Sequence, residues 1–401
     1  MAEVRTLPAF SVQHDWQVDV HNPAEAQPFW LAIRPYGADR SYHGKCKVNR
    51  DGTLHGTDGY DVHKLGENTL AIKHEAFADT TWHISCPVKE DKAPFNGKPL
   101  SVDVSPAGDL LVCSGTNGSA AILNTSDLKP LRHLKGHKGD VHTCRFFPSG
   151  EVVLTAGADW RARIWSAVDS SNPVSFTHAG AVRDVAIVDR GRNVLSAAMD
   201  GRVRLWDCGT AACLHSFEMD ANPTAIALLT CPDIVSSNVE RVIHEREAGT
   251  EGRVVVAASL SRITLIDLRA QHALSSVQVP KPSALCAFDD VHFASGHENG
   301  HISLWDCRKF SEPVVTVSRW EAPVTALTRA PVTVASRGAV VGAADGSCFV
   351  LDVDSLQTHE LSGSNLDPIA CVCATPQSVV AAAADSRLRT YTFGAIARPA
   401  A

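Results

Sequence analysis

No run of 18 apolar residues occurs anywhere in the 401-residue chain, so no membrane-spanning helix is expected. The first ten residues, MAEVRTLPAF, contain no apolar signal-like core. Export is therefore not expected, and a cytoplasmic or nuclear address follows by default. Lys and Arg number 37 against 44 Asp and Glu, a net charge of −7, and no window gathers the five or six basic residues that a phosphate-tracking stripe needs. Nucleic acid is not an expected partner. Twelve cysteines are present, yet none forms a C-x-x-C pair. Cys371-Val-Cys373 would place both thiols on one face of a strand rather than around a zinc ion, so the cysteines read as reduced, small apolar fillers. The 18 histidines are dispersed. The chain also lacks a G-x-x-x-x-G-K-[ST] phosphate loop and a G-x-S-x-G nucleophile elbow. No metal, cofactor or catalytic residue is assigned.

Apolar residues make up 44% and charged residues 20%, the balance of a folded globular chain. The length would suit two or three domains, or one large all-β domain with a small companion. A repeat decides between them. LTAGADWRARIWS (154–166) aligns with LSAAMDGRVRLWD (195–207), and Trp165 and Trp206 lie 41 residues apart. That period, closing on Trp-Asp, is the signature of WD repeats, each a four-stranded propeller blade. Weaker copies are LVCSGTNGSAAILN (111–124), FASGHENGHISLWD (293–306), VVGAADGSCFVLD (340–352) and VVAAAADSRLRTYT (379–392), with an eroded VVVAASLSRITLID (254–267). Counting the apolar runs that open each copy gives an all-β, seven-bladed WD-repeat β-propeller over 79–401.

Blade four carries an insertion at 231–252, a polar segment expected to form a surface hairpin or loop. The last copy ends near Phe393, which leaves too few residues for a fourth strand. An N-terminal strand must close the ring, and the alternating TTWHISCPV, 80–88, is the expected one. Residues 1–78 do not fit the repeat. Short β-like runs, 29–35 and 69–75, and a turn at 49–52 mark them as a small β-containing domain.

His137, Thr155 and Asp159 recur as His178, Ser196 and Asp200, a combination that resembles a hydrolase triad. Both sets end in a tryptophan, Trp165 and Trp206. A buried hydrogen-bond network satisfying the imidazole and indole accounts for all eight residues, because an unpaired buried polar group costs roughly 1–3 kcal/mol. Function is then expected on loops held by a rigid scaffold. The loops leading into first strands and the turns between second and third strands gather on one face. They carry Trp160 and Trp320 together with Asp140, Glu298, Glu321, Asp345 and Asp367, with Lys138 and Arg319 as a basic minority. This mildly acidic face with aromatic anchors suits a basic protein partner.

Trp305-Asp306-Cys307-Arg308 fits the W-D-x-R pattern of propeller receptors for cullin-type ubiquitin ligases, which leaves a generic WD-repeat scaffold or ligase receptor as the alternative function. Longer strings point elsewhere: RFFPSG (145–150), AIVDRGRNVLSA (186–197), RLWDCGTAACL (204–214), EREAGTE (245–251), DGSCF (345–349) and HISCP (83–87). AIVDRGRN and EREAGTE fall at positions the repeat does not require. In these strings the chain resembles the proteasomal ATPase-associated factor family, WD-repeat chaperones of proteasome regulatory-particle assembly. The resemblance implies a seven-bladed propeller after a distinct N-terminal domain and a non-catalytic, transient escort. The implied partner is the C-terminal domain of the sixth triple-A ATPase of the regulatory particle, met through acidic propeller residues. The free chain is expected to be a monomer.

Overall fold

The computed structural model describes residues 4–235, 244–319 and 321–393. Among these, seven four-stranded antiparallel blades follow one another, at 99–133, 141–177, 182–218, 223–278, 282–318, 324–361 and 369–392, the last completed by a strand from upstream. Their first strands neighbour one another round the ring, and the first strand of blade seven lies against that of blade one. The chain is a WD-repeat β-propeller.

Alternation along each strand explains this choice of element. In Arg161–Ser166, Ala162 and Ile164 are buried while Arg161 is exposed, the period of two that a strand with one polar face requires. The apolar residues collect in clusters that each span two adjacent blades: Leu154, Phe176 and Val194 between blades two and three, Leu111, Val380 and Leu388 between blades seven and one. Hydrophobic burial therefore favours a closed ring over any isolated blade. Ten of the twelve cysteines are buried and all are free thiols, in keeping with packing rather than cross-linking.

Upstream of the propeller lie β1 (Val4–Thr6), β2 (Ala9–Val12), the short helix α1 (Trp16–His21), β3 (Phe29–Arg34), β4 (Tyr42–Val48), β5 (Leu54–Gly56), β6 (Tyr60–Gly66), β7 (Thr69–His74), β8 (Trp82–Ser85) and β9 (Lys89–Lys92). The sheet β2-β3-β4-β5 and the strands β6-β7-β8 enclose one core, including Phe10, Trp16, Phe29, Ile33, Leu70 and Trp82. This unit is fused to the propeller. β1 runs parallel to the outer strand of blade five, with Val4 opposite Thr316. β8 runs parallel to the outer strand of blade six, with His83 opposite His359, so one seven-stranded sheet crosses the boundary expected at residue 78. Trp16, fully buried, donates its indole N–H to Ser362 Oγ at 2.8 Å.

The closing strand is not the one expected at 80–88. It is β9, antiparallel to the third strand of blade seven, with Lys92 opposite Arg387. The alternation within 80–88 serves two buried faces. Trp82 and Ile84 enter the N-terminal core, while Ser85 turns to the propeller and its Oγ meets His359 Nε2 at 2.8 Å. All four β9 residues are exposed. An outermost strand needs no apolar face, and charge on it protects a sheet edge. Glu90 instead reaches Arg387 at 2.6 Å and Arg389 at 3.4 Å across the junction.

The blade-four insertion lies between strands Pro223–Thr230 and Arg253–Ser259; residues 236–243 of it fall outside the described residues. Its last part folds back on blade three. The fully buried Asn193 donates from Nδ2 to the Arg246 carbonyl at 3.2 Å and accepts from the Ala248 amide at 2.7 Å. The two strings AIVDRGRN and EREAGTE thus lock onto each other, so they hold structure where the repeat pattern alone assigned them none.

Candidate functional site

The two sets of His, Ser or Thr, Asp and Trp form buried networks at the rim of the loop face. In blade two, His137 Nδ1 sits 3.0 Å from both Asp159 oxygens, and its Nε2 is 2.7 Å from Thr155 Oγ1. Trp165 donates its indole N–H to the same hydroxyl at 2.7 Å. Burial alone would raise the Asp159 carboxyl, but hydrogen bonds from His137 and the Lys138 amide outweigh it and hold the carboxyl below its usual range. Blade three varies the scheme. His178 Nε2 lies 2.7 Å from Ser196 Oγ, which also accepts from Trp206 at 2.7 Å. Arg204 contacts His178 Nδ1 and donates to Asp200 at 2.6 Å, so the His178–Asp200 separation widens to 3.6 Å. Burial and then the Arg204 charge push the His178 imidazole down to about 4. Thr155 and Ser196 lie sealed beneath indoles, out of a substrate's reach.

Sequence reasoning missed a third network in blade five. Ser295 Oγ accepts from Trp305 at 2.8 Å and lies 2.9 Å from His297 Nε2. The histidine stands at the end of the second strand rather than ahead of the first, so no fixed offset flagged it.

Above these networks lies the loop face. The loop into a first strand and the turn after the second strand meet at one end of each blade, as when the Ala158 amide donates to the Asp140 carbonyl and the Met199 amide to Ala181. Trp160 is 53% exposed with φ +65°. At the matching turn position blades three, five and six place Gly201, Gly300 and Gly346, all with positive φ. A left-handed conformation costs a side-chain-bearing residue about 1–2 kcal/mol, so Trp160 is displayed at a position suited to glycine. Apolar side chains that sequence reasoning missed extend the display: Met199 at 49% exposure, Leu260 at 60% and Leu366 at 82%. Met199 and Leu260 stand at the turns after second strands and Leu366 on the loop into the first strand of blade seven, positions that were their signal.

The carboxylates differ in freedom. Asp140 accepts from the Asn117 amide at 3.0 Å and stitches blade one to blade two. Asp345 is held by Ser347 at 2.6 Å, and Glu298 pairs with Lys281 at 2.6 Å. Glu321 is exposed and Asp367 half-buried. Trp320 lies outside the described residues. Arg319, expected among the loop-face charges, is buried, because it pairs with Glu360 at 2.8 Å and stacks 4.4 Å over the Phe349 ring. Arg308 of the W-D-x-R pattern is engaged with Asp306, through Nε at 3.0 Å and Nη2 at 2.7 Å; with its fork filled this way it is less suited to receive an adaptor.

The family model of the WD domain, G-beta repeat, matches residues 128–166 and 171–207. Proteasomal ATPase-associated factor 1 of Gallus gallus is 34% identical over 406 residues, covering 96% of this chain and 98% of its own length. The Homo sapiens protein of the same name is 31% identical over 401 residues, covering 95% and 97%. The 26S proteasome regulatory subunit RPN14 of Saccharomyces cerevisiae is 34% identical over 221 residues, covering 50% of this chain and 51% of its own. With similarity at this level over nearly the whole of each chain, the chain belongs to the proteasomal ATPase-associated factor family.

Proposed function

We propose that the protein is a non-catalytic chaperone of proteasome regulatory-particle assembly, a monomer that holds the C-terminal domain of a triple-A ATPase subunit, the sixth of the base, on its loop face. The names of the relatives support an ATPase partner. The observation that carries the site is Trp160, an exposed aromatic at a left-handed turn position, on a face where other blades expose Met199, Leu260 and Leu366 and which also carries Asp140, Glu298, Glu321, Asp345 and Asp367. Such a mixture suits a partner that is steered by charge and anchored by apolar contact.

Surface plasmon resonance against the isolated ATPase C-terminal domain tests this. Raising salt should slow association more than it speeds dissociation, since exposed charges are screened within ~8 Å at physiological ionic strength. Glu321→Lys with Asp367→Lys should weaken the complex, whereas Glu67→Lys with Glu75→Lys in the N-terminal domain should not. Trp160→Gly should speed dissociation tenfold or more, as removal of an anchor worth ~2 kcal/mol does, while the melting temperature holds or rises. Salt-independent association, or unchanged dissociation of the Trp160 variant, would place the partner on another face.

A further inference from the structure

Charge is not spread evenly over the loop face. On blades one to three it carries Lys98, Lys135, Lys138, Arg161 and Arg183, all exposed. Among the described residues none of these side chains has a carboxylate or hydrogen-bond partner. The neighbouring carboxylates are engaged. Asp159 and Asp200 sit in the histidine networks with side chains only 7% exposed. Asp140 is half-buried and accepts from the Asn117 amide, and Glu218 pairs with Arg202 at 2.6 Å. The remaining arc reverses the pattern. There Arg262, Lys281 and Arg387 are paired with Asp220, Glu298 and Glu90 at 2.6–2.7 Å. Glu321 and Asp367, on the loops into blades six and seven, have no cation partner among the described residues. In a chain of net charge −7, the loop face thus has a positive arc as well as a negative one.

Hydrogen bonds make the positive arc one continuous rim. The Thr116 amide donates to the Lys98 carbonyl at 3.0 Å and the Asn117 amide to Asp140 at 3.0 Å. The Lys138 amide lies 3.4 Å from Asp159, and the His178 amide donates to the Trp160 carbonyl at 2.9 Å. Lys135 leads the same loop as Lys138, and Arg161 follows Trp160 directly. The cations therefore surround an exposed aromatic on a fixed backbone, a frame that suits recognition.

We propose that this arc is the receptor for an acidic segment of the protein partner, whose carboxylates lie along the cations while an apolar side chain covers Trp160. The assignment rests on the loop-face reading and gives the partner there two poles, basic groups toward Glu321 and Asp367 and acidic groups toward blades one to three. Two poles orient a partner, because turning it about the propeller axis sets like charges against each other. A face of one sign would attract it without orienting it. The arc is short and interrupted by the apolar Trp160 and Met199, and a longer polyanion would run on to Glu321 and Asp367. Both features favour a protein segment over nucleic acid.

Fluorescence anisotropy of a labelled decapeptide, two leucines flanked on each side by four glutamates, titrated with the full chain at low salt, tests the arc directly. Saturable binding is expected, weakened at least tenfold by Lys138→Glu with Arg161→Glu and at least threefold by Trp160→Gly. Lys64→Glu with Lys73→Glu, an equal change of charge at exposed positions of the N-terminal domain, should leave it nearly unchanged. Absence of saturable binding, or an equal loss from the N-terminal pair, would overturn the proposal. Tighter binding of a ten-residue oligothymidylate, lost in the Lys138 and Arg161 variant, would overturn it in favour of nucleic acid. By surface plasmon resonance the same variant should slow association of the ATPase domain at least threefold, and unchanged association would overturn the two-pole assignment. If the wild-type chain binds the decapeptide but not the ATPase domain, the choice of partner is refuted while the acidic-segment receptor stands.

Discussion

At the scale of single residues, the two complete networks make different demands on their aspartates. Asp159 holds the His137 imidazole directly and has Arg163 only at 3.5 Å, so Asp159→Ala leaves His137 Nδ1 unpaired and should cost about 1–3 kcal/mol. Asp200 neutralises Arg204, which is largely buried beside His178. Asp200→Ala strands that cation, and the double variant Asp200→Ala, Arg204→Ala should recover part of the lost stability. Urea unfolding of the three variants decides the matter: no recovery in the double variant would mean that Asp200 acts on His178 directly. These networks were legible in the sequence because four residue types recur at fixed offsets. Arg204 was not, since an arginine on a third strand reads as its polar face, and only the fold shows it inserted between histidine and aspartate.

At the scale of elements, the insertion of blade four depends on a close approach. Gly249 has φ +71°, and a Cβ there would fall 2.5 Å from Asp189 Cβ. Gly252 has φ +66° but meets nothing nearer than 3.5 Å. Gly249→Ala should therefore lower the melting temperature clearly more than Gly252→Ala, because both incur about 1 kcal/mol of backbone strain and only the first adds a clash. Equal losses would show that the insertion yields without cost. The repeat made the blades legible from their buried strands. It misplaced the closing strand for the same reason, since a search for apolar alternation finds Trp82 and Ile84 and passes over Lys89–Lys92, whose energetics lie in backbone pairing and the Glu90 ion pairs.

At the scale of the whole molecule, buried neutral histidines tie stability to pH. His178 is held at about 4, and burial with the neighbouring His83 holds His359 at about 3. An unfolded histidine titrates near ~6.5, so below that value the unfolded chain takes up protons that the folded chain refuses. Stability is full above pH ~6.5 and falls as pH drops toward 4, by up to ~1.4 kcal/mol per pH unit for each ring. The urea midpoint at pH 5 should lie below that at pH 7.5, and a midpoint that rises would contradict the neutral assignment. Little of this scale could be read from the sequence. The weld between domains rests on pairs such as Trp16 with Ser362 and Ser85 with His359, which no local pattern brings together.

The position of β9 also sets an order of events during synthesis. Its partner strand, Arg387–Thr392, leaves the ribosome nearly three hundred residues after it; β1 waits slightly longer for blade five, and β8 almost as long for blade six. At ~5–20 residues per second this delay is roughly tens of seconds. Throughout it the nascent chain carries N-terminal strands without their mates and a growing arc of blades with two open ends. Completion comes only when the last blade emerges and β9 is drawn into its sheet.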